Sequence, residues 1–114
     1  MNNLLLPNLD PHALARELSG RHLIGGAMVP ATSGKTFEVI NPATGEVIGQ
    51  AAHGEAPDVD AAVAAAEQAQ RHWGRQPARE RGRLVAECGR ILNEHVDELG
   101  RLVALETGKA LRTE

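Results

Sequence analysis

The stretch VINPATGEVI, residues 39–48, predicts two short β-strands folded about a tight turn. Its two ends consist of β-branched residues, which suit the pleated, half-buried surface of a sheet. These four residues are Val39, Ile40, Val47 and Ile48. Because they flank the centre symmetrically, they indicate the two arms of a β-hairpin.

The residues between these arms have the chemistry of a turn. Asn41 is able to hydrogen-bond its own backbone two residues on, and Pro42 fixes φ for the first corner. Gly45 adopts positive φ without steric cost, as a type I turn closed by a β-bulge requires. The hairpin is therefore expected on physical grounds as well as from its pattern.

Composition limits what surrounds this hairpin. The chain has 114 residues, of which 42% are hydrophobic but only 2% aromatic, namely Phe37 and Trp73. A chain of this length is expected to form one unit. Aromatic side chains usually supply much of the burial in a small core, so an alanine-rich core without them is shallow. We therefore expect the chain to be part of something larger.

Charge and cysteine content exclude several classes of protein. The net charge of −3 offers no general attraction for nucleic acid or an anionic membrane. Cys88 is alone, which excludes an internal disulfide and a CxxC zinc pair and favours the cytoplasm. The start MNNLLLP lacks the basic leader of a signal peptide, and no stretch has the roughly 20 apolar residues of a membrane span.

Before the main hairpin, residues 1–20 predict an extension with one short helix, capped by Asp10 and followed by Gly20. The pair Gly25 and Gly26 then separates two short apolar runs and predicts a first hairpin.

After residue 54 the pattern predicts helices. The first begins near Pro57, the second begins near Pro77, and a break at 93–95 precedes a third that ends before Gly108. Each has an apolar side expected to face a core. On the first helix these residues are Val59, Ala62, Val63, Ala66 and Trp73; on the second they are Leu84, Val85, Cys88, Ile91 and Leu92. The fold class is thus α+β, with two β-hairpins followed by helices, and residues 109–114 resemble the start of another helix.

Four segments, in order, resemble the amino-terminal part of NAD(P)-dependent aldehyde dehydrogenases. They are HLIGGAMV (22–29), SGKTFEVINPATGEVI (33–48), DVDAAVAAA (58–66) and LETGKAL (105–111). The resemblance covers residues 21–114 and implies that this region is the truncated amino-terminal part of the α/β aldehyde dehydrogenase fold.

The resemblance also implies an activity. Enzymes of this family oxidise an aldehyde to a carboxylate through a thiohemiacetal on cysteine, hydride transfer to NAD or NADP, and hydrolysis of a thioester. A small aldehyde substrate and a homo-oligomer are implied for the full-length protein. The family's catalytic cysteine, general-base glutamate and oxyanion asparagine would lie beyond Glu114, and no GxGxxG turn occurs here. We therefore assign no catalytic or cofactor-binding residue to this chain and expect it to be inactive alone.

One site is implied within the chain. By resemblance, the backbone carbonyls near Val39 and Ile40 and the carboxylate of Glu106 would contribute to a structural monovalent-cation site. Carbonyl and carboxylate oxygens are suitable ligands for such a hard cation.

Other motifs favour plainer interpretations. The SGKT run, residues 33–36, lacks the glycine that a phosphate loop needs five residues before Gly34, where Val29 stands, and a strand follows it instead of a helix. Cys88 is expected to be an inert core residue, since nothing around it resembles a nucleophile motif. The five histidines lack metal-ligand spacing. A non-enzymatic α+β module that docks an amphipathic helix into a partner stays open as the alternative function.

Overall fold

The computed structural model describes residues 10–111. Its elements, in chain order, are α1 (Pro11–Leu18), β1 (His22–Ile24), β2 (Ala27–Val29), β3 (Thr36–Ile40), β4 (Val47–Ala52), α2 (Ala56–Trp73), α3 (Ala78–Glu94) and α4 (Val96–Thr107). The predicted α+β class, with two hairpins followed by helices, is confirmed. The leucine-rich start of the chain and residues 112–114 lie outside the described range.

The first hairpin pairs β1 with β2 in antiparallel register, His22 opposite Val29. Gly25 and Gly26 both have positive φ, 62° and 80°, as a two-residue hairpin turn demands. The hairpin predicted from this glycine pair is confirmed.

The turn of the second hairpin forms as its residues predict. The Ala43 backbone N–H donates to Asn41 Oδ1 at 2.9 Å, which is the expected bond two residues on. Gly45 has φ of 77° and its N–H donates to the Asn41 carbonyl at 2.8 Å. Asn41 is buried, so its side chain serves the turn and not solvent.

A further bulge, distinct from the one predicted at Gly45, lies just beyond this turn in β4. Val39 pairs with Gly49 and Ile40 pairs with Val47, which leaves Ile48 as the extra residue of β4. A bulge bends the strand and redirects its side chains. Ile48 is one of the few buried apolar side chains of the described chain, so the bulge supplies part of the core.

The helix α1 packs against β4 and α4, and together with the second hairpin these elements form what we name the packed body (α1, β3, β4 and α4). Leu14 of α1 is 3% exposed and is its buried anchor. Asp10 does precede Pro11 at the start of α1, but its side chain makes no capping hydrogen bond, so that part of the prediction is wrong. Asp10 is instead exposed to water, which solvates its carboxylate. The division of the chain at residue 20 stays a prediction.

The helices α2 and α3 behave differently. The main contact of α2 is with β1, and no residue of α3 is buried within the described chain. Val59, Val63 and Cys88 are exposed, so the prediction that these apolar sides face a core is wrong for this chain. Amphipathic spacing determines which side of a helix is apolar, but burial needs a second element against that side.

The ends of the later helices follow the sequence closely. Pro57 lies in the first turn of α2, and His95 separates α3 from α4 where the break was predicted. Gly108 ends α4 with φ of 71°. The left-handed conformation of Gly108 terminates the hydrogen-bond ladder of α4. Residues 109–111 are not helical, so the further helix predicted to start there is not formed within the described range. No helix within residues 10–111 is long and apolar enough to cross a membrane.

Candidate functional site

A cavity of about 260 Å³ lies inside the packed body, between α1, the second hairpin and α4. Val39 and Glu106, two of the residues implied for a cation site, both line it. Ile40 does not line it and is 48% exposed. The fold therefore brings two of the three predicted residues to one cavity, and it leaves the side chain of the third outside.

The end of α1 closes one wall of this cavity. The Ser19 hydroxyl donates to the Ala15 carbonyl at 2.7 Å and accepts from the Gln50 N–H at 3.1 Å. The Gly20 N–H donates to the Gln50 carbonyl at 2.8 Å. A Cβ on Gly49 would lie 2.8 Å from Ser19 Oγ, so only glycine at that position allows α1 to approach β4 this closely.

The opposite end of the packed body joins two motifs that are distant in sequence. Pro42, at the tip of the second hairpin, lies against Gly108 at the end of α4, where an added Cβ would be 2.9 Å from Pro42 Cγ. Gly108 therefore has two constraints, its positive φ and this close approach. The contact holds the helix end that carries Glu106 beside the hairpin that carries Val39.

The chemistry of the cavity suits a small hard cation in part. Backbone carbonyl oxygens near Val39 and the Glu106 carboxylate are oxygen ligands of the right kind. Glu106 has no hydrogen-bond or ion-pair partner among residues 10–111. Within the same range no group of three or more His, Cys, Asp or Glu side chains could hold a metal ion. Any cation here would rely on backbone oxygens.

The SGKT run forms a turn, as its sequence predicts. Gly34 has φ of 69° and its N–H donates to the Ala31 carbonyl at 2.8 Å. The Lys35 N–H donates to Ser33 Oγ at 3.3 Å, and β3 follows directly. This geometry fills the role of a connector and lacks the helix that a phosphate loop requires.

The model of the aldehyde dehydrogenase family matches residues 28–114. The chain belongs to this family. HpcC from Thermus thermophilus is similar over 90% of this chain and 20% of its own, with 38% identity and a TM-score of 0.85. Betaine aldehyde dehydrogenase from Staphylococcus aureus in complex with NAD+ is similar over 89% of this chain and 20% of its own, with 34% identity and a TM-score of 0.82.

An NAD-dependent benzaldehyde dehydrogenase from Corynebacterium glutamicum is also similar, with 31% identity over 94% of this chain and 22% of its own, and a TM-score of 0.76. This aldehyde dehydrogenase chain spans about a fifth of the length of the solved structures that it matches. Its fold is that of the family's amino-terminal part.

The aldehyde dehydrogenase chain also contains a buried carboxylate whose role exceeds its predicted one. The negative charge of Asp58 in the first turn of α2 favours the helix dipole. Asp58 is also 5% exposed and joins the loop at Thr32 to the start of α2. Its Oδ1 accepts from both the backbone N–H and the hydroxyl of Thr32 at 2.7 Å, and its Oδ2 accepts from the Glu55 N–H at 2.9 Å. An acidic residue three places after the start of a helix was the available signal.

These hydrogen bonds have an electrostatic consequence. The bonds from the Glu55 N–H, the Thr32 hydroxyl and the Thr32 N–H lower the pKa of Asp58 from 3.8 to about 2. The carboxylate is thus held ionised, which suits a structural link between the first hairpin's exit and the start of α2. It is not a proton donor or acceptor near neutral pH.

Proposed function

We propose that this chain is the amino-terminal segment of an aldehyde dehydrogenase that oxidises a small aldehyde to a carboxylate with NAD or NADP, and that the 114-residue chain alone is inactive. The observation that supports this most is the close match to about a fifth of each related structure. The sequence offers no nucleophile motif around Cys88 and no glycine-bearing turn for a dinucleotide.

Within that enzyme, residues 21–114 would form part of the catalytic polypeptide's framework, and residues 1–20 would form an extension whose helix α1 braces β4. The packed body supports this proposal, because it contains three of the four buried apolar residues among residues 10–111 (Leu14, Ile48 and Ala52) and the hydrogen bonds that join α1 to β4.

The proposed cofactor is either NAD or NADP. Related structures include complexes with NAD+ and an Escherichia coli enzyme described as NADP dependent. Residues of this chain do not fit a dinucleotide site, so the choice between the two would be made by the rest of the polypeptide.

We further propose a structural monovalent-cation site formed by the carbonyls of Val39 and Ile40 and the carboxylate of Glu106. The shared cavity of Val39 and Glu106 supports it. The test compares thermal unfolding in NaCl, KCl and choline chloride, for the wild type and for Glu106→Gln. A rise in midpoint with Na+ or K+ that the variant loses is expected; equal midpoints in all three salts for the wild type would argue against the site.

A cytoplasmic location and a homo-oligomeric full-length enzyme, with no nucleic-acid or membrane partner, complete the proposal. The lone cysteine and the net charge of −3 support the location and the absence of these two partners. The second candidate function, a non-enzymatic interaction module, is favoured by one observation, the exposed apolar side of α3.

The deciding experiment measures NAD(P)H absorbance with a panel of small aldehydes, using the purified 114-residue chain and a full-length relative as positive control. Thermal unfolding with and without NAD or NADP runs beside it. No turnover and no cofactor-dependent shift are expected for the chain. Turnover, or a clear rise in midpoint with cofactor, would refute the proposal that it is an inactive segment.

A further inference from the structure

A second cavity, of about 400 Å³, lies between α1 and the beginning of β4. We name it the α1–β4 cleft, and its walls include His12, Arg16, Ser19, Val47, Ile48 and Gln50. It shares a wall with the first cavity, because Ser19 and Ile48 line both, but Val39 and Glu106 do not line it. Its volume falls within the range of roughly 300–1,000 Å³ that is typical of small-molecule sites. The cleft is therefore a separate candidate site.

The α1–β4 cleft differs in charge from two other cavities of the chain. Among the described residues that line it there is no Asp or Glu, whereas Glu106 lines the first cavity and Asp58 lines a cavity between β1 and α2. The chain as a whole is acidic, with 15 Asp and Glu against 12 Lys and Arg. His12 and Arg16 are four residues apart, so both lie on one face of α1. The cleft thus has basic side chains without a carboxylate to offset them.

The guanidinium of Arg16 has no hydrogen-bond or ion-pair partner within residues 10–111, and neither has the imidazole of His12. Glu17 is the one carboxylate of α1, and it pairs instead with Arg21. The Arg21 guanidinium lies 3.9 Å from the Glu17 carboxylate and donates to the Glu17 carbonyl at 2.5 Å. A guanidinium has a planar set of N–H donors that matches a carboxylate or a phosphate. Arg16 offers this set of donors at the wall of the cleft.

The end of α1 would oppose an anion if its last carbonyls were unpaired, because the carboxyl end of a helix is negative. Three of these carbonyls accept hydrogen bonds. The Ala15 carbonyl accepts from the Ser19 hydroxyl at 2.7 Å, the Arg16 carbonyl accepts from the Ser19 N–H at 3.2 Å, and the Glu17 carbonyl accepts from Arg21. These donors offset the negative end of the helix beside the cleft.

The strand β4 gives the cleft an apolar part and one polar side chain. Val47 is 49% exposed and Ile48 is 6% exposed, so β4 contributes one apolar side chain that water reaches and one that belongs to the core. The backbone N–H and carbonyl of Gln50 are bonded to Ser19 Oγ and to the Gly20 N–H. The side-chain amide of Gln50 has no partner within residues 10–111. The cleft thus combines a guanidinium, an amide and an apolar surface.

We propose that the α1–β4 cleft binds a small organic carboxylate, with the carboxylate on Arg16 and the hydrocarbon part against Val47 and Ile48. Inorganic phosphate would match the guanidinium but would leave the apolar wall uncovered, so the observations favour an anion with a hydrocarbon part. The inference goes beyond the proposed oxidation of an aldehyde and does not depend on it. His12 and Arg16 precede residue 28, where the match to the family model begins, so the site joins an element outside that match to a strand inside it.

The experiment titrates the ¹⁵N-labelled 114-residue chain with four probes at constant ionic strength and follows its amide NMR spectrum. The probes are sodium hexanoate, hexanamide, sodium acetate and sodium phosphate. Hexanamide lacks only the charge of hexanoate, and acetate lacks most of its hydrocarbon chain. Hexanoate is expected to shift amide signals of residues 12–20 and 47–50 and to bind about tenfold more tightly than each of the other three probes.

Three results would overturn the inference. Equal binding of hexanamide would show that the guanidinium is not used. Binding of acetate or phosphate as tight as that of hexanoate would show that the apolar wall is not used. Shifts confined to residues outside 12–20 and 47–50 would place the carboxylate elsewhere on the chain.

Two matched variants test the role of Arg16. Arg16→Gln removes the guanidinium from the cleft, whereas Arg79→Gln removes an exposed arginine of α3 that also has no partner within residues 10–111. Arg16→Gln is expected to weaken hexanoate binding about tenfold and to leave hexanamide binding unchanged, and Arg79→Gln is expected to change neither. Both side chains are exposed, and the amide spectrum itself reports whether each variant is folded.

Equal weakening by the two variants would indicate a general attraction of the chain for anions and would overturn the assignment to the α1–β4 cleft. The absorbance assay of the chain tests the proposed function separately, since turnover there would refute that proposal without changing the affinities of these probes.

Discussion

Leu14 of α1 and Leu92 of α3 have the same side chain on the apolar side of an amphipathic helix, yet Leu14 is 3% exposed and Leu92 is 57% exposed. The difference is that α1 has β4 and α4 against it, whereas α3 has no comparable neighbour in the described chain. The spacing of apolar residues thus determines which side of a helix is apolar, and contact with another element decides whether that side is buried in a core. The packed body is stabilised within this chain, whereas no residue of α3 is buried by residues 10–111.

The largest expected effect separates these two leucines. Leu14→Ala should lower the free energy of unfolding of the chain by about 3 kcal/mol, because it removes buried methyl groups and leaves a cavity. Leu92→Ala should change it by about 0.5 kcal/mol or less, because the side chain is exposed. Urea unfolding followed by circular dichroism measures both. Similar losses for the two variants would mean that α3 is packed within this chain.

The next effect contrasts two glycines. Gly108→Ala should cost about 2 kcal/mol, since the residue has positive φ and the new Cβ would crowd Pro42. Gly89→Ala, in open space on α3, should stabilise the helix by roughly 0.5–1 kcal/mol. Urea unfolding followed by circular dichroism measures both variants, and the two changes in the free energy of unfolding are expected to have opposite signs. A neutral Gly108→Ala would show that neither the positive φ nor the Pro42 contact is maintained in solution.

A smaller effect concerns Asp58, which links Thr32 to the start of α2. Asp58→Asn should lower the unfolding midpoint at pH 7 by on the order of 5 °C, because an amide accepts fewer of the three hydrogen bonds. The pKa of Asp58 is depressed from 3.8 to about 2, so its contribution is fully present above about pH 4 and is lost as the pH falls towards 2. The gap between wild type and variant should therefore narrow over that range in thermal scans. A constant gap from neutral pH down to about pH 2 would refute this account.

The smallest effect lies on the charged side of α3. Hydrogen bonding and attraction from Glu87 raise the pKa of Arg90, and the same pair lowers the pKa of Glu87. Both side chains are exposed, so Arg90→Gln should barely change the unfolding midpoint. Any change should vanish in about 0.5 M NaCl, because salt at that concentration screens the attraction between exposed charges. Thermal scans at low and high salt check this. A large loss that persists in salt would indicate that the charged side also has a packing role.

Sequence predicted the local features of this fold well because their causes are local. The Asn41 turn, the hairpin at Gly25 and Gly26 and the break at His95 each depend on residues within a few positions. The bulge at Ile48 was not predicted. The exposure of Cys88 was predicted wrongly because burial depends on elements far along the chain. The Ser19 hydrogen bond to β4, which joins residues far apart in the chain, likewise leaves no periodic trace in the sequence.

The candidate cation site shows the same difference between local and long-range features. The meeting of Val39 and Glu106 at one cavity was anticipated only through resemblance, since no spacing rule relates a strand residue to one on a distant helix. The structure supplies the missing physical cause, which is the pair of close approaches at Gly49 and Gly108. Those glycines were visible in the sequence, but the groups they make room for were not.

The contact between Pro42 and Gly108 also sets the order in which elements pack while the chain is being synthesised. The second hairpin needs only local residues and forms within roughly 1–10 μs once it leaves the ribosome. The packed body cannot close until α4 has emerged, several seconds later at roughly 5–20 residues per second. During that interval α1, which precedes the hairpin, is available to cover Ile48, but Pro42 lacks its neighbour at the end of α4. We expect chaperone binding to compete with closure of the packed body at that stage.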